Sequence, residues 1–295
     1  MQWVSIMIKS KRTKTADWII IIIALLIICI CIFPVLNVMA VSFSSNSAIT
    51  NNKVFLLPVE FTTKAYSYVL SDASVVKSLF FTAYLTLICT VISMMITTFC
   101  AYPLAQSKLV GKRAINIIII ITMYFNAGII PDYINMKNLN LLDNFWVLVI
   151  PSCLSVFNMI ILKTFFRSIP ESLKESAKLD GATHWTILLR IYLPLSTPVL
   201  ATLALFYAVG RWNGFQDALF YISNRNLYTI QLKLYQIVNN LSSIDTHAEA
   251  NVVTMVTSES MKAATVMFAT VPILLIYPWL QRYFIEGATI GAVKG

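Results

Sequence analysis

Eight polar or amphipathic side chains, Asn126, Asn158, Tyr207, Arg211, Trp212, Asn213, Gln216 and Asp217, interrupt stretches that are otherwise isoleucine, leucine and phenylalanine. The amides and the phenol can exchange hydrogen bonds with a polar ligand, the indole offers a flat apolar face, and Arg211 can hold a carboxylate through two parallel bonds. Inside a membrane such groups are costly unless they face a cavity or a partner helix. Each therefore has a second reading. Asn126 and Asn158 can hydrogen-bond between helices, Trp212 can anchor at the interface, and Arg211 can pair with Asp217 of its own segment or sit among headgroups.

Covalent chemistry finds little support. The sequence contains no G-x-x-x-x-G-K-[ST], and the final "GAVKG" lacks the spacing and the following helix of a phosphate-cradling loop. There is no G-x-S-x-G or H-E-x-x-H either, so no catalytic residue is expected. Cys29, Cys31, Cys89, Cys100 and Cys153 all fall in apolar stretches without paired spacing and read as small packing residues. His184 and His247 stand in different loops, so no metal site is expected.

The elements that must position these residues are membrane helices. Hydrophobic residues make up 58% of the 295, charged residues 12%, and the mean hydropathy is +0.75. The expected fold class is all-α and polytopic. Six apolar stretches approach the roughly 20 residues a spanning helix needs: Trp18–Val41, Val75–Tyr102, Ala114–Asn135, Leu141–Phe165, Pro198–Tyr221 and Lys262–Gln281. Pro131, Asp132 and Asn138 suggest a short break between the third and fourth. A β-barrel would need alternation, and "IIIIIALLIICICIF" does not alternate. The first stretch is longer than a signal-peptide core, so it reads as an uncleaved span.

Basic residues mark the cytoplasmic side. Lys9, Lys11, Arg12 and Lys14 precede the first stretch; Lys108, Lys112 and Arg113 follow the second; Lys163, Arg167, Lys174, Lys178 and Arg190 follow the fourth; Arg282 and Lys294 follow the sixth. All fall on one side of a six-span chain, which places both termini in the cytoplasm. The expected organisation is a cytoplasmic segment 1–16, a membrane domain 17–281 with a cytoplasmic loop at 166–196 and an external loop at 223–260, and a cytoplasmic tail 282–295. The net charge of +9 thus reports topology, and its dispersal argues against nucleic-acid binding. Thr86, Thr90, Ser93 and Thr97, at helical spacing on the second stretch, read as a helix-packing seam in preference to a hydroxyl-lined channel.

The densest run of charge is "ESLKESAKLDGATHWTILLRIYLP", from Glu171 to Pro194. Ser168 and Glu171 match a capping box, and Pro170 is tolerated in a first helical turn. A helix beginning there would stop at Gly181, and Thr183 would cap a second short helix through Ile191. Ile169, Leu173 and Ala177 would form one narrow apolar stripe. Docking on a cytoplasmic partner, a solvated connector and a membrane-surface anchor are all open; the acidic residues and the two caps favour docking.

These residues carry a resemblance. "ESAKLDGATHWTILLRIYLPL" is similar to the E-A-A-x-x-x-G signature, followed by I-x-L-P, of permease subunits of bacterial binding-protein-dependent ABC importers, with Ser176 replacing the usual first alanine. Glu175, Ser176, Ala177, Asp180, Gly181, Ala182, Ile191, Leu193 and Pro194 stand at matching positions. "YAVGRWNGFQDALFYI" resembles the W-N motif late in the fifth span of carbohydrate-type, maltose-permease-like subunits. "YPWLQRYFIEGATIGAVKG" resembles their tails, especially in the complex-polysaccharide or oligosaccharide branch.

The resemblance implies an ABC type I importer permease fold in the bacterial inner membrane. Glu171, Leu173, Glu175, Ser176, Ala177, Asp180, Gly181 and Ala182 would form a coupling helix seated in an ATPase subunit, with Gly287, Gly291 and Lys294 in the tail as a second contact. ATP and Mg would be used by two copies of that cytoplasmic partner, with no cofactor on this chain. A second homologous permease would complete the path, and an external solute-binding protein would deliver the sugar. Asn126, Asn158, Tyr207, Arg211, Trp212, Asn213 and Asp217 would line the substrate path. A free Arg211 would suit an acidic oligosaccharide. The alternatives are a permease for peptides or amino acids, or a secondary transporter working alone.

Overall fold

The computed structural model describes residues 11–106, 109–245 and 259–275, with side chains of 11–16 and 240–245 left out. The described secondary structure is helical throughout. It divides into two compact units, residues 1–71 with 238–268 and residues 72–237 with 269–295.

In the first unit α1, Lys11–Ser42, carries an apolar stretch with nearly every side chain from Trp18 to Leu36 exposed. A helix apolar on all sides suits lipid or a protein partner rather than water. Its end is tied by the Ser44 hydroxyl, which donates to Ala40 O at 2.7 Å and accepts from Val59 N at 3.0 Å. Short helices α2, Asn46–Thr50, and α3, Lys64–Ser71, follow. Phe43 stacks between Phe61 and Tyr66.

The second unit is built on α4, Ala73–Ala105, whose N-cap is Asp72 and which packs against α7, Val156–Ser168, and α11, Thr197–Asn213. Leu85 and Ala101 on α4, Leu162 and Phe166 on α7 and Leu203 on α11 are fully buried there. The opposite face of α4 exposes Phe80, Tyr84, Leu87, Val91 and Met95, spaced three and four residues apart. That is the pattern of a helix with one face in the protein and one in lipid or a partner.

Among the described residues only Asp17–Ser42 and Ala73–Ala105 are long and apolar enough to cross a membrane alone. Three further pairs of helices pass the same test only when each bent pair is taken together, and of the sixth expected stretch residues 262–275 are described, within a helix over 259–275, here α14. Within the third stretch α5, Lys112–Tyr124, meets α6, Ile129–Asn138, at 114°. The break is at 125–128, earlier than expected, and Pro131, Asp132 and Asn138 all lie inside α6. The cause is local: Asn126 Oδ1 accepts from Gly128 N at 2.8 Å, and Gly128 has φ +94°. An Asx turn followed by a glycine in that conformation outcompetes the helix.

The fourth stretch comprises two 3-10 turns, Phe145–Leu148 and Ile150–Ser152, bent by 48° from α7. The loop that follows α7 forms α8, Glu171–Leu179, and α9, His184–Ile187. A π turn, Leu188–Tyr192, carries the second helix past the expected stop at Ile191 into α10, Leu193–Leu195. Pro194 cannot donate to Arg190 O, and a π turn absorbs that lost bond. The chain bends by 83° into α11. Nor is the fifth stretch one helix: it breaks at Gly214 and Phe215, then resumes as α12, Gln216–Tyr221. Beyond α12, α13 runs over Ile230–Asp245.

Candidate functional site

The breaks in the fourth and fifth stretches open a cavity of about 1080 Å3 against α4. Asn158, Tyr207, Arg211, Asn213 and Asp217 line it, as does Gln216, so most of the expected path residues come together. The carboxamides of Asn158, Asn213 and Gln216 have no hydrogen-bond partner among the described residues and are available to a ligand.

Other lining groups are already committed. Tyr207 Oη lies 2.7 Å from Thr97 Oγ1 and accepts from Ser155 N at 3.0 Å. It therefore fastens α11 to α4 and to the start of α7. Arg211 is 8% exposed. Its Nη2 donates to Asp217 Oδ1 at 2.9 Å and Gly214 O at 3.2 Å; its Nη1 donates to Asp217 Oδ2 and to Leu148 O at 3.1 Å. Of the three readings of Arg211, the structure takes pairing with Asp217. The guanidinium is not free for a uronate, and the cavity wall carries no unpaired charge among the described residues.

Two expected path residues lie elsewhere. Trp212 is buried, and its indole donates to Ala269 O at 3.2 Å, away from the cavity. One hundred degrees of helical rotation separates neighbours on α11, so Arg211 and Trp212 point to different sides. Asn126 is exposed and occupied in the Asx turn described above. Conversely Ser93, Ser152 and Ser155 line the cavity although only Ser93 stood out in the sequence. Pro151 beside two serines, inside an apolar stretch, was the available signal. The expected seam on α4 divides: Ser93 faces the cavity, Thr97 joins α11, and the Thr86 and Thr90 hydroxyls are buried with no partner among the described residues.

The charged loop folds nearly as its sequence implies. Ala182 N donates to Ala177 O at 2.9 Å and Gly181 N to Lys178 O at 3.0 Å, with Gly181 at φ +77°. That is a Schellman stop. Thr183 Oγ1 then accepts from Thr186 N at 3.3 Å and caps α9. The capping box, however, does not form. Ser168 is the last residue of α7 and its hydroxyl donates to Phe165 O at 2.8 Å, so Pro170 begins α8 without a side-chain cap. The apolar stripe also divides, since Ile169 and Ala177 pack on the protein's own core and only Leu173 stays exposed. Lys174 is buried beneath α8 and lies 3.9 Å from Glu171. Glu175, Ser176, Leu179, Asp180 and Gly181 are exposed, and Ala182 is half-buried. Gly287, Gly291 and Lys294 lie outside the described residues.

Residues 73–289 match the family model described as the binding-protein-dependent transport system inner membrane component. The chain belongs to this family. A polygalacturonan/rhamnogalacturonan transport system permease of Bacillus subtilis, YtcP, is 37% identical over 96% of this chain and 100% of its own length. The Bacillus subtilis protein LplC is 39% identical over 90% of each chain. A solved bacterial ABC transporter involved in import of the acidic polysaccharide alginate superimposes with a TM-score of 0.84 at 30% identity, covering 93% of this chain and 98% of that one. The fold class expected from the sequence is thus that of an ABC type I permease. As an inner membrane component, the chain places its cavity between helices that, by their apolar faces, lie in the bilayer.

Proposed function

We propose that this chain is a permease subunit of an ATP-driven importer of oligosaccharides, with acidic oligosaccharides as the substrate class. One observation carries the reading: a cavity in the membrane unit into which the carboxamides of Asn158, Asn213 and Gln216, with no partner among the described residues, face beside serines. Amides and hydroxyls match the dense hydroxyls of a sugar, and a wall whose charges, Arg211 and Asp217, are paired with each other lets a chain move without being trapped by one strong contact. The names of the relatives, polygalacturonan and alginate among them, support the acidic class. With Arg211 held by Asp217, this chain reads the sugar's hydroxyls, and the carboxylates are met elsewhere in the assembly.

The remaining parts follow from the loop. The exposed face of α8, with Glu175, Ser176, Leu179 and the rigid Gly181 stop, seats in a cytoplasmic ATPase subunit that binds ATP and Mg. Two ATPases, a second homologous permease and an external solute-binding protein complete the machine. The basic clusters favour cytoplasmic termini, and counting each bent pair as one span, with the expected stretch at 262–281, would give six. Purification from the native membrane tests this: the chain brings an ATPase with it, and vesicles containing the whole assembly take up oligosaccharide only with ATP and the binding protein. Uptake by this chain alone, driven by an ion gradient, would overturn the reading in favour of a secondary transporter.

A further inference from the structure

A second pocket, of about 480 Å3, lies where α5 begins and α7 ends, lined by Leu109, Gly111, Lys112, Arg113, Asn116 and Arg167. Lys163, one turn before Arg167 on α7, is 8% exposed and donates to Asn116 Oδ1 at 2.8 Å. Asn116 in turn donates to Lys112 O at 2.6 Å, and Lys112 Nζ donates to Gln106 O at 2.6 Å. Arg167 lies near enough to both lysines to repel them.

Lys174 pairs with Glu171 and Arg211 with Asp217, and neither pair includes a cation that lines this pocket. Lys112 and Lys163 each donate to a neutral oxygen, and Arg113 and Arg167 have no hydrogen-bond or ion-pair partner among the described residues. A buried ammonium is costly without a counter-charge. Topological sorting accounts for cations at the ends of spans; it does not account for Lys163, 8% exposed behind Asn116, nor for the convergence of Lys112, Arg113 and Arg167 on a single pocket. The chemistry that satisfies such a set is an anion with several oxygens, able to accept from a guanidinium and an ammonium together.

The surroundings of the pocket say where that anion comes from. Beyond Lys112 and Arg113, α5 exposes Ile117, Ile118 and Ile121, a row of branched apolar side chains running from the cations toward the centre of the span. A free phosphate has no use for such a wall; acyl chains do. We propose that this pocket binds the phosphate of an anionic phospholipid through Lys112, Arg113 and Arg167, with the acyl chains along the isoleucine face of α5. Basic pockets at the ends of membrane helices take anionic headgroups in this manner. The inference rests on the chain being a membrane component, and on neither the sugar nor the ATPase.

The test uses the purified assembly in nanodiscs of phosphatidylcholine with a minor fraction of phosphatidylglycerol, exchanged into detergent and weighed by native mass spectrometry. The wild type keeps phosphatidylglycerol. Removing two charges, in Arg113→Gln with Arg167→Gln, lowers the retained lipid by about an order of magnitude or more. Arg113→Lys with Arg167→Lys keeps it, which separates loss of charge from loss of fold. Equal retention by the wild type and the glutamine variant overturns the proposal. So does displacement of the lipid by inorganic pyrophosphate, which marks a soluble-anion site. Carbodiimide cross-linking of Lys112 to a carboxylate of another subunit would overturn it too, since the cations then serve an interface. None of these readouts depends on transport.

Discussion

The guanidinium of Arg211 lies so close to the backbone of Gly214 that a β-carbon there would stand 2.9 Å from Nη2 and 3.3 Å from Cζ. Gly214 has an ordinary φ of −73°, so glycine is required here for space and not for conformation. The guanidinium cannot retreat, being held by Leu148 O, Gly214 O and both Asp217 oxygens. Gly214→Ala should therefore destabilise the assembly by about 1–3 kcal/mol, the usual cost of overpacking. Gly210→Ala on the same helix meets nothing within 4 Å and should be neutral or stabilising. Thermal unfolding of the two variants in detergent decides the matter, and equal melting temperatures would show that the arginine yields freely.

Arg211→Gln removes the charge that neutralises Asp217 and the guanidinium's donated bonds to Leu148 O and Gly214 O. Uptake should fall, and it should fall in the same proportion for acidic and for neutral oligosaccharides, because the guanidinium serves the fold and not the substrate. Asp217→Asn should reproduce the defect, and the double variant should be less than additive, since paired residues in contact couple. A selective loss of acidic uptake would return Arg211 to the substrate path.

Asp72 caps α4 by accepting from Ser74 N at 2.8 Å, and its carboxyl is held below the ordinary aspartate value first by the Ser74 side chain and, to a smaller extent, by this backbone bond. A depressed carboxyl contributes stability that is complete above the unfolded-state pKa of about 3.9 and is lost as pH falls through the lower folded value. Asp72→Ala should cost about 1 kcal/mol at neutral pH. Asp72→Asn should recover most of that cost and no longer respond to acid. Melting curves of the three proteins between pH 7 and the acid limit of the detergent complex give the answer; a wild type as insensitive as the asparagine variant would remove the cap from the account.

How far the sequence carried depended on the range of the interactions. Gly181 and Thr183 act within five residues of themselves, and both the stop and the cap formed where their types demanded. The amides of Asn158 and Asn213 were legible because polarity inside an apolar stretch is conspicuous. Three things were hidden. Ser168 looked like a cap, but α7 ran on through it and took its hydroxyl. Asn126 looked like a path residue, but its side chain bonds two residues ahead and ends α5. The fixing of Arg211 by Leu148 O and of Tyr207 by Ser155 N joins segments 63 and 52 residues apart, and no local pattern announces such bonds.

The sharpest prediction concerns Gly181. At φ +77° an L-residue is strained by about 1–2 kcal/mol, whereas open space surrounds the α-carbon. The space and the angle can thus be tested separately. Asn tolerates this conformation, so Gly181→Asn should leave the turn and the transport coupled. Gly181→Val should unwind the stop, releasing the bonds from Ala182 N to Ala177 O and from Gly181 N to Lys178 O. Glu175 and Ser176 then lose the fixed presentation that a partner would read. The cavity, built by α4, α7 and α11, is untouched, so the valine variant should stay in the membrane and keep its fold while ATP hydrolysis by the assembly no longer drives uptake. The ratio of sugar moved to ATP hydrolysed is the measurement. A valine variant with the wild-type ratio would mean that the shape of this loop carries no force.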